Sequence, residues 1–202
     1  MLIIGLTGGL GTGKSTAASI LKKWGAKIID ADKIVHDELS KMDSCIVGAV
    51  IHMFGVSILN NNQIDRKRLG AIVFKNKRLL KQLENIIHPV VRRRIKEQIQ
   101  FYQKNNQKGI IVVDVPLLFE SGLDKLMHKV IVVKANQKIQ IQRACQKLKI
   151  TMAEAKRRIQ NQMPLKDKIR KADFIIDNSG DFLVMRKQLL NVWKDLQTSL
   201  NL

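Results

Sequence analysis

Short runs rich in apolar residues recur along the chain at wide intervals: Leu2 to Leu6, Lys27 to Ile29, Ile110 to Val113, Val130 to Val133 and Phe174 to Ile176. They are continuous rather than alternating, the pattern of strands covered on both faces of a parallel sheet. Between them the apolar spacing turns helical. Ser15 to Trp24 predicts a helix that Gly25 stops. Strands alternating with helices predict a doubly wound α/β core with five parallel strands.

The interval between the second and third runs is too long for one crossover. Residues 33–108 are therefore expected to form a helical insertion, with no second sheet. Asp65 is placed to cap a helix over residues 66–74, and Leu79, Leu80, Leu83, Ile86 and Ile87 share one helical face. His88-Pro89 is expected to end that helix and open another, with Pro89 in its first turn. Thr151 and Glu154 have capping-box spacing, and residues 181–196 predict a terminal helix.

Composition narrows the classes. The 202 residues are 45% hydrophobic, which supports one sizeable core and a single domain. No apolar run approaches the ~20 residues of a membrane span. No basic segment followed by an apolar stretch opens the chain, which predicts a cytoplasmic protein. Cys45 and Cys145 lie in unrelated segments and read as reduced thiols.

The formal charge is +19, which points to polyanionic partners, either nucleic acid or phosphorylated small molecules. The charge is concentrated. Residues 66–108 carry thirteen Lys or Arg against two acids, and residues 134–171 carry twelve against two. Both stretches have helical apolar spacing, so most of these charges are expected on solvated helix faces. Aromatic content is only 4%, which leaves few stacking platforms for a nucleic acid.

The chemistry is carried by Gly8-Gly9-Leu10-Gly11-Thr12-Gly13-Lys14-Ser15, a G-x-x-x-x-G-K-[ST] motif between a predicted strand and a predicted helix. Gly8, Gly9, Gly11, Thr12 and Gly13 form a loop whose backbone N–H groups can face phosphate oxygens, aided by the helix N-terminus. Lys14 is expected at the β- and γ-phosphates of ATP, Thr16 at the α-phosphate, and the Ser15 hydroxyl on Mg²⁺. Asp30 and Asp32 lie at and just past the end of the second strand, where open α/β sheets bind ligands. A carboxylate there can accept the proton of an attacking hydroxyl or help hold Mg²⁺; it can also cap the next helix. Asp114 closes the third strand in the Walker-B manner, with a metal role set against a turn role. Asn76-Lys77 continues as Arg78-Leu79, so the guanine-reading N-K-x-D motif is not there.

Together with Ile64-Asp65-Arg66, His88-Pro89, the segment Val115-Pro116-Leu117-Leu118-Phe119-Glu120, Gln140, Arg143, Gln162, Ala172-Asp173 and Asp177-Asn178, these residues resemble the dephospho-coenzyme A kinases over nearly the whole chain. The resemblance implies ATP-dependent phosphorylation of the ribose 3′-hydroxyl of dephospho-coenzyme A, the final step of coenzyme A synthesis. The rivals are another small-metabolite or nucleotide P-loop kinase and, from a different class, an ATP-switched nucleic-acid-binding protein. The resemblance further implies a P-loop core over 1–32 and 109–202, the insertion over 33–108 and a helical lid at about 138–165. Asp32 would be the general base and Arg143 a catalytic lid arginine. Thr7, Asp30, His88, Pro116, Leu117, Leu118 and Glu120 would lie at the acceptor. Two positions depart from the family's pattern: Lys147 stands where a second lid arginine is common, and Asn62 where a turn glycine is usual.

Overall fold

The computed structural model describes residues 1–105 and 108–200; positions 106–107 of the expected insertion and 201–202 of the expected core lie outside the described residues. The strands are β1 (Leu2–Gly8), β2 (Lys27–Asp30), β3 (Leu59–Asn60), β4 (Gln63–Ile64), β5 (Ile110–Asp114), β6 (Lys129–Lys134) and β7 (Phe174–Asp177). The helices are α1 (Lys14–Lys23), α2 (Ala31–Ser40), α3 (Cys45–Phe54), α4 (Arg66–Val73), α5 (Lys77–Asn105), α6 (Gln137–Leu148), α7 (Met152–Gln160), α8 (Leu165–Arg170) and α9 (Phe182–Leu200).

Five of the strands form one sheet in the order β2-β5-β1-β6-β7. The apolar runs of the inner strands are buried as expected, every residue of β5 and Ile3 to Gly8 of β1 being out of solvent, whereas at the sheet edges Ile28 of β2 is only partly buried and Ile175 of β7 is exposed. The register is parallel, pairing Leu6 with Asp114, Gly8 with Val133 and Lys134 with Asp177. The carboxyl ends of β5, β1, β6 and β7 thus share one rim. The strand order reverses around β1, which makes its end the switch point where doubly wound sheets bind ligands.

The chain divides into two units, Met1–Ile29 with Gln98–Leu202 and Asp30–Glu97. In the first, Ile4, Leu6, Val112, Ile131 and Val133 pack with Ala17 and Leu21 of α1 and with Met185, Leu189 and Trp193 of α9. The Trp24 and Trp193 rings lie 6.1 Å apart at 44°.

The second unit differs from expectation in two places. It does contain a small second sheet, the antiparallel ribbon β3–β4. Asn61 and Asn62 turn it at φ of 47° and 59°, the left-handed conformation that asparagine tolerates and two-residue hairpins require. Strands of two residues leave no periodicity to read. The other difference is Pro89, which lies inside α5 and does not end it. Leu83, Ile87, Val91, Ile95 and Ile99, one every four residues, are each at most 9% exposed. An internal proline costs about 3 kcal/mol, whereas each buried aliphatic side chain contributes roughly 1.5–3 kcal/mol. The three buried residues beyond Pro89 therefore outweigh the lost hydrogen bond. The caps follow expectation: Asp65 accepts from the N–H groups of Lys67 and Arg68 at 2.8 and 3.2 Å, and Thr151 from Glu154 N–H at 3.2 Å.

Candidate active site

The glycine loop leaves β1 at Gly8 and enters α1 at Lys14. Gly11 and Gly13 have φ of 75° and 90°, a conformation that other residues adopt only under strain. Space enforces the same choice. A Cβ at Gly13 would overlap the Asn178 side-chain amide, and one at Gly11 would overlap the Gln140 carbonyl. Within the loop, Thr12 is fully buried and its hydroxyl donates to the Gly9 carbonyl at 2.9 Å. Ser15 and Thr16 are exposed on the first turn of α1.

Residues far along the chain hold this loop. The Asn178 amide donates to the Thr12 carbonyl at 2.8 Å, and the Leu10 N–H donates to Gln162 Oε1 at 3.1 Å. The buried Gln140 amide donates to the Ala135 carbonyl at 2.7 Å, which sets it beneath Gly9. The Leu10 side chain packs against Ile141, Ala144 and Ala155, so α6 and α7 close on the loop through an apolar contact. Asn178 is itself fixed by its turn. There Asp177 accepts from Ser179 N–H at 2.9 Å and pairs with Lys134 at 2.8 Å; those hydrogen bonds hold its carboxyl down at about 2. Sequence reading singled out Gln140, Gln162 and Asn178 only as part of a family pattern; no periodicity or charge marks them as supports of the loop.

Lys14 makes an ion pair with Asp114, whose side chain is almost wholly buried at the end of β5. Lys14 is thereby held at the switch point. Arg143, on α6, donates to the Asn178 carbonyl at 3.0 Å, and its guanidinium lies 3.9 Å from where a Gly13 Cβ would stand. It therefore reaches the phosphate loop, while Lys147, one turn further on, is exposed.

The segment after β5 is also fixed from several sides. The Pro116 carbonyl accepts from the Thr7 hydroxyl at 3.1 Å and from Lys168 Nζ at 2.7 Å. Glu120 pairs with Lys168 at 2.9 Å and accepts from Met163 N–H at 2.8 Å. Thr7 is fully buried, so its hydroxyl serves Pro116. Leu118 is fully buried against Gly5 and belongs to the core, while Leu117 is partly exposed. Solvated helix faces are expected for most of the basic residues, and Lys168, which has no exposed surface, is an exception.

Asp30, Asp32 and His88 belong to the second unit. Asp30 caps α2, accepting from Lys33 N–H at 3.0 Å. Asp32 lies exposed in the first turn of the same helix. His88 lies partly exposed in mid-α5. Of the roles weighed for this carboxylate pair, capping falls to Asp30. An open groove of this unit is lined by His36, Leu39, Ile64, Arg66 and Lys67.

No three His, Cys, Asp or Glu side chains cluster as a metal cage among the described residues. Magnesium in kinases takes one or two carboxylates and fills its octahedron with phosphates and water. The Ser15 hydroxyl and the Asp114 carboxylate are hard oxygen donors of that kind, so the donor set fits. No helix among the described residues is long and apolar enough to cross a membrane.

The family model of dephospho-CoA kinases matches residues 2–183. A dephospho-CoA kinase of Lactobacillus johnsonii is 40% identical over 194 residues, covering 96% of this chain and 97% of the relative. The solved dephospho-CoA kinase of Campylobacter jejuni has a TM-score of 0.70 at 35% identity, covering 98% of both chains. A shikimate kinase of Acinetobacter baumannii, at 12% identity and a TM-score of 0.53 over 98% of this chain and 94% of its own, shares the fold.

Proposed function

The chain belongs to the dephospho-CoA kinase family, and from that premise we propose that it transfers the γ-phosphoryl group of ATP to the ribose 3′-hydroxyl of dephospho-coenzyme A, giving coenzyme A and ADP. The observation that carries the reading is the family match over residues 2–183, with every fixed position of the phosphate loop in place inside it.

The roles follow from the chemistry of transfer. The 3′-oxygen forms a bond to the γ-phosphorus as the bond from that phosphorus to the ADP oxygen breaks, and the electron pair leaves with ADP. Gly8, Gly9, Gly11, Thr12 and Gly13 present N–H groups to the phosphate chain, with Thr16 at the α-phosphate. Lys14 meets the charge that shifts onto the leaving oxygen, exchanging Asp114 for phosphate. Asp32 accepts the proton that the 3′-hydroxyl loses. Ser15 and Asp114 would hold magnesium, which supplies charge neutralisation at the phosphate oxygens. Pro116, Leu117 and Glu120 line the acceptor, with Thr7 and Leu118 supporting them from beneath; the family resemblance adds Asp30 and His88 as acceptor residues. The basic surface, including Arg66 and Lys67 at the groove of the second unit, attracts phosphorylated small molecules, and the protein works in the cytoplasm.

Arg143 tests how the charge of α6 is used. Its place beside Gly13 supports a contact that tightens as the phosphoryl group moves. Arg143→Ala should lower kcat at least about tenfold while the Kd for ATP rises less than about threefold. Lys147→Arg should be tolerated or mildly activating, since a planar fork can take two phosphate oxygens. Steady-state kinetics with a separate ATP titration decides the matter; equal losses in kcat and in ATP affinity would make Arg143 a ground-state clamp.

The activity is tested by its product. Wild-type protein with ATP and dephospho-coenzyme A should yield a species heavier by one phosphate, with phosphorus NMR placing it on the ribose 3′-oxygen. A phosphate elsewhere, or none, contradicts the proposal.

A further inference from the structure

Lys168, on α8, is the largest fully buried side chain among the described residues, with 0% of its surface exposed. An ammonium group is buried only with partners, because leaving it bare costs on the order of several kcal/mol. Its partners are the Pro116 carbonyl at 2.7 Å and Glu120 Oε1 at 2.9 Å. The pair is not well satisfied: Glu120 Oε2 is buried with no hydrogen-bond partner among the described residues. A buried ion pair with an orphaned oxygen is a poor source of net stability, and apolar side chains often serve as well. What the pair does supply is geometry. It grips both ends of the segment Pro116–Glu120, one by its backbone and the other by its side chain. The same Pro116 carbonyl is held by Thr7, the residue before the phosphate loop. Burial pushes the Lys168 ammonium below the ordinary lysine range; Glu120 opposes that shift, and Lys14 adds to it.

We propose that Lys168 is a positioning residue for the acceptor: by holding the Pro116 carbonyl and the Glu120 carboxylate, it fixes the segment 116–120 in the form that receives the hydroxyl substrate. The inference rests on the kinase reading above and on that segment lining the acceptor. Lys168 does not touch the reacting atoms, so its removal acts on the acceptor side and spares nucleotide binding.

The test compares Lys168→Met, which keeps the length and loses the charge and donors, with Lys168→Gln, which keeps a donor. In Lys168→Met, kcat/KM for dephospho-coenzyme A should fall at least about thirtyfold while the Kd for ATP stays within about threefold. Lys168→Gln should fall between that variant and wild type. Hydrogen exchange reads the segment without any acceptor. The amides of Ser121, Gly122 and Leu123 donate to the carbonyls of Leu117, Phe119 and Leu118. They should exchange at least about tenfold faster in Lys168→Met, with β5 unchanged. Wild-type acceptor kinetics in folded Lys168→Met, or equal losses in ATP affinity and acceptor kcat/KM, would overturn the proposal. If Lys168→Met does not fold, Lys168→Gln carries both comparisons. A wild-type protein silent on dephospho-coenzyme A would sink the functional reading instead. Exchange then decides by itself, and unchanged protection at residues 121–123 overturns the proposal.

Discussion

Lys14→Ala protein should fold, bind ATP weakly and turn over at less than about one-hundredth of the wild-type rate, a loss of ~3 kcal/mol in transition-state stabilisation. Lys14 is the only side chain of the loop that carries a full positive charge, and the charge it meets grows as the phosphoryl group leaves. The structure adds a control. Removing Lys14 takes an ion partner from Asp114, a residue only 5% exposed, so the variant should also melt lower. Turnover lost in protein that is still folded at the assay temperature assigns the loss to chemistry. A folded Lys14→Ala protein that keeps more than about a tenth of wild-type turnover removes the lysine from the mechanism.

Asp32→Asn should be the second large effect and should fall on kcat alone. Asparagine is nearly isosteric but accepts no proton, so a general base replaced this way loses roughly 10²–10⁴-fold in kcat with KM values little changed. The structure makes this substitution clean. Asp30, not Asp32, makes the capping hydrogen bond of α2. What Asp32 gives the helix is a negative charge in the first turn, about 0.3–1 kcal/mol. Asp30→Ala, which removes that cap, should lose about 1 kcal/mol of stability. An unchanged kcat in folded Asp32→Asn would leave Asp32 as a surface carboxylate and nothing more.

The contrast between these two aspartates shows what a single sequence reveals. Both stand at the end of an apolar run, so both were candidates for either task; only the bond from Lys33 N–H to Asp30 separates them. The inner strands of the large sheet were legible because burial on both faces demands unbroken apolar runs, as every residue of β5 shows. The phosphate loop was legible because its glycines answer to backbone conformation and close packing, as Gly11 and Gly13 show. Pro89 misled because local chemistry favours a break, while a buried stripe from Leu83 to Ile99 overrides it. Asn178 and Gln162 were noticed only as a pattern, since their work is to hold loop backbone 166 and 152 residues away in the chain. Lys168 was lost in a basic stretch: nothing local distinguishes a solvated lysine from a buried one when the partner lies 52 residues earlier, at Pro116.

The central claim concerns the acceptor, and the most direct measurement is ADP release by wild-type protein, compared across acceptors at physiological salt. Dephospho-coenzyme A, nucleoside monophosphates and single-stranded nucleic acid are each supplied with ATP and magnesium. The account predicts rapid release with dephospho-coenzyme A, with kcat/KM at least about a hundredfold above that for any nucleoside monophosphate, and polynucleotide binding that is weak and falls steeply with salt. Faster release with a nucleoside monophosphate, or ATP hydrolysis stimulated by polynucleotide, would contradict it.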